Sequence, residues 1–259
     1  MTFTLLIVAL SIVLFIGMLI SIETGRRIGI SRLARDPDGL AKGVGPLEGA
    51  VFGLMGLLIA FTFSGAASRF EDRRHLVTEE ANDIGTAYLR ISLLPAEAQP
   101  ELRSLFREYV DLRLATYANV DDQPASEAKF AESLAQQQAI WAKSIVAAQR
   151  PDAVGRPEVL LVPALNAMFD IASTRRAATM NHPPIAIYLL LGILCLIASL
   201  LVGYELSSNK HRSSLHALVF AAIMSLCVYV IVDLEFPRLG LIRVDSYDQL
   251  LVEVRKGME

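Results

Sequence analysis

The side chains with the widest chemical reach are few and scattered. Of the four histidines, His75, His182, His211 and His216, only His75 has an acid one helical turn away, Glu79. A single i,i+4 pair needs at least one further ligand before it can hold a metal. Cys195 and Cys227 both lie in apolar stretches and read as small hydrophobes, with no disulfide framework or zinc spacing. Glu79, Glu80 and Asp83 could pair for acid–base work, but no nucleophile, base or pocket signature accompanies them, so they read as the charged outer face of a helix. Walker A, G-x-S-x-G and H-E-x-x-H patterns are absent. These residues predict no catalytic centre, no metal site and no cofactor, and they disfavour an enzyme.

Two other patterns carry more meaning. Leu57, Phe61, Ser64 and Ser68 follow a 4, 3, 4 spacing and share one helix face, apolar first and hydroxylic towards its end. A pore helix needs such a face: a narrow apolar ring that dewets, then donors that replace hydration water. Ordinary packing with serines bonding across helices is the competing reading. Gly49, Gly53 and Gly56 add a small-residue stripe suited to close helix contact. The second pattern is Asp233-Leu234-Glu235-Phe236-Pro237-Arg238-Leu239-Gly240. Acids at a helix C-terminus oppose the macrodipole and call for a partner. The candidates are Arg238, Arg243 or an arginine following the Leu57–Ser68 face, such as Arg69 or Arg73, which would make this a structural clasp.

The elements that must position these residues are membrane spans. The chain has 259 residues, of which 53% are apolar and 20% charged, with a mean hydropathy of +0.45. Residues 68–183 hold 16 acids and 13 bases, well over half of all the charges. Residues 3–22, 47–67, 185–204 and 215–232 are nearly charge-free, each about the 20 residues that cross a ~30 Å hydrocarbon layer. This excludes a fully soluble enzyme, a disordered chain and a secreted disulfide scaffold. A net charge of −3 leaves no footprint for nucleic acid. The first span lacks a basic n-region and a small-residue cleavage site, which argues against a cleaved secretory signal.

Four spans place both termini and residues 68–183 on one side, with the loops 23–46 and 205–214 on the other. Arg26, Arg27, Arg32, Arg35, Lys42, Lys210 and Arg212 in those loops balance Arg69, Arg73, Arg74, Arg175, Arg176, Arg238 and Arg243 opposite. Because the positive-inside rule weights short loops, charge alone points the large segment away from the cytoplasm.

No proline falls between Pro46 and Pro95, so one helix can run from the second span far beyond it, ~70 Å at 1.5 Å per residue. Phe70, Val77, Ala81, Ile84, Tyr88 and Ile91 form a seam along it. Pro100 opens a second helix through Leu102, Leu105, Phe106, Tyr109, Leu112 and Tyr117. Residues 119–126 form a turn, and Ser126 with Glu127 starts a third helix through Phe130, Leu134, Trp141 and Ile145. Pro151 and Gly155 break that helix, and Pro157 starts a fourth through Leu161, Leu165, Met168 and Ala172. The fold class is therefore an all-α membrane protein: four transmembrane helices with a large helical bundle inserted between the second and third. The expected parts are residues 1–67, 68–183, 184–233 and a tail, 234–259.

At both patterns the sequence resembles the bestrophins, in particular the bestrophin-like membrane proteins of bacteria. Phe61 to Arg73, with Ser64, Arg69, Phe70, Glu71 and Arg73, is similar to the bestrophin second span and its arginine- and aromatic-rich exit. Glu80-Ala81-Asn82 through Arg90 is similar to the helix that follows it. Glu235-Phe236-Pro237-Arg238-Leu239-Gly240 resembles the E-N-P-F-G segment after the fourth span. The resemblance implies a pentameric, mostly anion-selective channel with an axial pore lined by the second span. Matching Arg69 to the family's arginine puts Phe61, Leu57 and Gly53 at the three constriction levels, and Gly53 departs from the bulky residue expected there. The acidic calcium clasp of animal bestrophins is not reproduced, since Asp245 and Asp248 are the nearby acids and their spacing differs. The resemblance also places the large helical part in the cytoplasm, against the loop charges.

The expectation is thus a homo-oligomeric chloride channel of a bacterial inner membrane, partnered by itself and by lipid. Its pore would be lined by Gly53, Leu57, Phe61, Ser64 and Ser68, with a structural clasp of Arg69, Arg73, Asp233, Glu235, Pro237 and Arg238. The alternative is a membrane-anchored sensor or scaffold whose helical part binds a ligand or partner without conducting.

Overall fold

The computed structural model describes residues 2–35, 45–118, 122–208 and 214–259, and every regular element among them is helical. Lys42 of the first loop, residues 119–121 of the turn cluster, and Lys210, His211 and Arg212 of the third loop lie outside the described residues. In chain order the α-helices are α1 (Thr2–Leu33), α2 (Gly45–Arg90), α3 (Gln99–Ala118), α4 (Gln123–Ala148), α5 (Pro157–Met180), α6 (Ile185–Glu205), α7 (Ser214–Glu235) and α8 (Gln249–Lys256). Among the described residues, four helices are long and apolar enough to cross a membrane. The chain divides into two compact units, Met1–Arg69 with His182–Ile242, and Phe70–Asn181 with Arg243–Glu259.

The first unit contains α1, the beginning of α2, α6 and α7. Helix α1 outruns the expected span and continues to Leu33, so the first loop does not begin at Glu23. Glu23 bonds Arg26 and Arg27 one turn on, and such i,i+3 and i,i+4 pairs keep a polar stretch helical. Helix α1 packs along α6 with almost no gap. A side chain at Gly25 would strike the backbone of Leu200, and one at Gly203 would strike the backbone of Ile22. Met18, Met55, Cys195, Ala198 and Ala221 form the buried centre, and Phe52 meets Phe220 edge-on. Large apolar residues on the outer faces, such as Leu10 and Ile20 on α1 or Leu189 and Ile193 on α6, stay exposed. That is the pattern of helices solvated by hydrocarbon.

The second unit holds the remainder of α2 with α3, α4, α5 and α8. As the proline-free stretch predicts, α2 is a single 46-residue helix, closed by a 3-10 turn at Ile91–Leu93. Val77, Ala81, Ile84, Tyr88 and Ile91 of its seam are buried, while Phe70 is half-buried. Ala81, Ile84, Tyr88 and Ile91 share one core with Leu102, Phe106 and Tyr109 of α3, Ile140 of α4, and Leu161, Leu165 and Met168 of α5. Helix α4 starts three residues before the expected Ser126, because Asp122 accepts a hydrogen bond from the Ala125 N–H and Pro124 occupies the first turn. Before α5, Gly155 and Arg156 both take positive φ, 73° and 54°, and this left-handed pair turns the chain into Pro157. Helix α8, with no counterpart in the sequence-based expectation, buries Leu251, and Met258 beyond it accepts from the Tyr88 hydroxyl.

One element corrects the sequence reading outright. Glu80 is not on an outer face: its carboxylate is fully buried, bonded by Arg113 on one oxygen and Arg175 on the other. Arg175 also holds Asp248 at 2.7 Å and lies 3.7 Å over the Tyr117 ring, while Arg113 donates to the Tyr117 hydroxyl. The Nη1 of Arg113 has no hydrogen-bond partner among the described residues. Glu79 and His75, by contrast, are exposed.

Candidate pore face and clasp

Gly53, Leu57, Phe61, Ser64 and Ser68 are all exposed along the first part of α2, with Leu57 at 52% and Phe61 at 67%. On the same helix Met55 and Ala66 are buried, so α2 has one packed side and one side open within this chain. Built side chains at Gly49, Gly53 and Gly56 would meet nothing within 4 Å. The open side therefore carries small residues first, then two bulky apolar ones a turn apart, then two hydroxyls.

Behind Phe61 lies a cavity of about 230 Å³, lined by Leu58, Phe61, Gly65 and Arg69 of α2 and by Ile187 and Tyr188 of α6. Arg69 closes one side of it. Its guanidinium grips Glu235 at the end of α7, Nε to Oε1 at 2.9 Å and Nη2 to Oε2 at 2.8 Å. Glu235 has no solvent exposure, so the bidentate pair supplies the countercharge a buried carboxylate needs. His182, just before α6, adds a third group: its Nδ1 lies 3.2 Å from Glu235 Oε1 and its ring stacks on Phe236 at 4.5 Å.

Asp233 solves the helix-end problem differently. Its carboxylate is buried and accepts from the backbone N–H groups of Leu241 and Ile242 and from the Tyr229 hydroxyl. The turn Phe236-Pro237-Arg238-Leu239-Gly240 brings those N–H groups round, with Pro237 and Arg238 buried inside it. Only glycine fits at 240, because a side chain there would run into the Asp233 carboxylate. Thr4 and Phe3 of α1 hold the same turn, by a hydrogen bond to the Leu239 carbonyl and an edge contact with Phe236. Arg73 bonds elsewhere, donating to the Ala178 and Asn181 carbonyls at the end of α5, which satisfies acceptors a helix terminus leaves open. Asp245 pairs with Arg243 and Asp248 with Arg175. No group of three or more metal-ligating side chains occurs among the described residues.

Arg69 and Glu235 were thus predicted members of one cluster, and the structure brings them together. His182 was missed: its partner lies 53 positions away, and no local spacing reports such a contact.

Four candidate spans, with a buried ion pair where the fourth ends, make this a helical membrane protein. A bestrophin-like domain is matched over residues 12–247, and this chain belongs to the bestrophin-like family, which is non-enzymatic. Among solved structures it is similar to crystal structures of a bacterial bestrophin homologue from Klebsiella pneumoniae. One variant of that protein aligns with a TM-score of 0.70 at 13% identity, covering 95% of this chain and 98% of that one. A second gives 0.67 at 14% identity over 93% and 99%. No curated sequence matches significantly.

Proposed function

We propose that the protein is a homo-oligomeric, pentameric anion channel of a bacterial inner membrane, with chloride as its permeant ion and its helical unit in the cytoplasm. The observation that carries this reading is the open face of α2. Leu57 and Phe61 are large apolar side chains left more than half exposed within their own chain, and Ser64 and Ser68 follow on the same face. Around a symmetry axis such faces converge, Leu57 and Phe61 forming the dewetting ring and the serines receiving partly dehydrated ions. Gly53 widens the first level, so restriction falls on the other two. Arg69, neutralised by Glu235, contributes little net charge at the end of the face. The test is chloride flux into liposomes under an imposed gradient, with Phe61→Ala beside wild type. The expected result is faster flux in the variant. Equal flux removes Phe61 from the pore, and silence from both folded, oligomeric proteins favours a sensor or scaffold.

A further inference from the structure

The clasp contains one imidazole, His182. Imidazole is the side chain that ordinarily titrates between about pH 5 and 8. His182 is placed to use that change: 29% of its side chain is exposed, so protons reach it, yet its Nδ1 faces a carboxylate with no exposure at all. The same Oε1 that faces His182 also accepts from Arg69 Nε. Two cations would therefore compete for one oxygen once the imidazole is charged.

The charged groups of the clasp are Arg69 from α2, Asp233 and Glu235 from the end of α7, and Arg238 from the turn after it. Asp233 is held by backbone N–H groups and the Tyr229 hydroxyl. From α6 comes Tyr188, which shares the cavity wall with Arg69 and Pro183. From α1 come Phe3 and Thr4, which do not titrate. Stacking on Phe236 fixes the ring plane, so protonation changes the charge at a set position.

Resting on the channel reading above, we propose that His182 is a proton-operated switch: its protonation draws Glu235 from Arg69 and adds one positive charge beside the hydroxylic end of the α2 face, favouring anion passage. With His182 neutral, Arg69 and Glu235 cancel. With it charged, the three groups carry +1, and Arg69 among them directly follows Ser68 on α2. A unit charge about 10 Å from an ion, in water-like surroundings, changes its local concentration about twofold.

The experiment compares wild type, His182→Gln and His182→Phe in liposomes at about pH 8 and about pH 5.5. The phenylalanine variant can keep the ring stack on Phe236 but loses both the titration and the Nδ1 contact to Glu235, whereas glutamine keeps a polar group there without titrating. Chloride flux is expected to rise at least about twofold on acidification in wild type and to stay level in both variants. Alongside, the Arg69 Nε–H resonance, assigned by its loss in Arg69→Lys, is expected to move with pH in wild type and to stand still in His182→Phe. Flux that is pH-independent in wild type, or equally pH-dependent in the variants, overturns the switch and leaves the channel intact. If no chloride passes at either pH, the channel reading fails. A static Arg69 resonance in wild type then overturns the coupling as well, and a moving one upholds it.

Discussion

Replacing Glu80 with glutamine tests the buried charge cluster most directly. The two guanidiniums it separates have almost no contact with water: Arg113 is fully buried and the Arg175 side chain is 4% exposed. Glutamine keeps the shape but offers one acceptor and presents an amide N–H to the other arginine. Arg113 then has no countercharge, while Arg175 keeps Asp248. Breaking a buried pair from one side costs about 3–5 kcal/mol. In a unit of roughly 130 residues each kcal/mol moves the midpoint by about 3–5 °C, so a loss of roughly 10–20 °C is expected. Trp141 is the sole tryptophan and packs beside Phe169 against this core, so its fluorescence during heating in detergent reports on the correct unit. The ranking matters as much as the size. Arg175→Met leaves the Glu80–Arg113 pair whole and should cost least, Arg113→Met should cost more, and Glu80→Gln most. Glu80→Gln combined with Arg113→Met should cost clearly less than the sum of the singles. A Glu80→Gln midpoint within about 3 °C of wild type would refute the reasoning.

Burial pushes the Glu80 carboxyl up, but the charges and hydrogen bonds of Arg113 and Arg175 outweigh it and hold it below its ordinary 4.5. A depressed carboxylate adds stability that is full above 4.5 and lost as pH falls through the lower folded value, so a pH series should show that acid loss in wild type and a smaller one in Glu80→Gln. Gly25→Ala and Gly203→Ala each push a methyl into facing backbone and should destabilise the first unit by about 1–3 kcal/mol, whereas Gly53→Ala, with open space around it, should leave its melting unchanged. Asp122→Ala removes the α4 cap and should lower the Trp141 midpoint by an amount equivalent to about 1 kcal/mol. Asp111→Asn breaks only an exposed bridge to Arg255 and should cost less than about 1 kcal/mol in the same assay.

The spans, the long α2 and the helices after it were legible because each rests on a local signal: hydropathy, proline spacing or a repeating apolar face. What escaped depended on partners distant in sequence. Gly49-x-x-x-Gly53 reads as a packing motif, yet a side chain at either glycine would meet nothing within 4 Å among the described residues, while Gly25 and Gly203, on separate helices, sit directly against facing backbone. The charge of Glu23 looked like the end of a helix, but neighbouring arginines let the helix continue. The Glu80 cluster did leave a trace. Val77–Glu80–Ile84, Tyr109–Arg113 and Ala172–Arg175 all keep the helical register of their buried seams. Three apolar faces each with one charge in register, one acidic and two basic, is a pattern that reading each helix alone conceals. The Arg69–Glu235 pair was readable as a need for a countercharge, whereas the addition of His182 follows only from three-dimensional proximity.

The same registers bear on how the bundle avoids assembling wrongly. A helix seam repeats every seven residues, so sliding a helix by that step, about 10 Å, brings apolar layers back into contact. In this unit such a slip would be nearly silent to oil-like packing: Phe106 would take the position of Arg113, Ala87 that of Glu80 and Met168 that of Arg175, and each of these is itself a core residue. The ionised trio breaks that degeneracy, because any single slip buries a charge opposite a hydrocarbon side chain. The cluster thus acts as a key that admits one alignment of α2, α3 and α5.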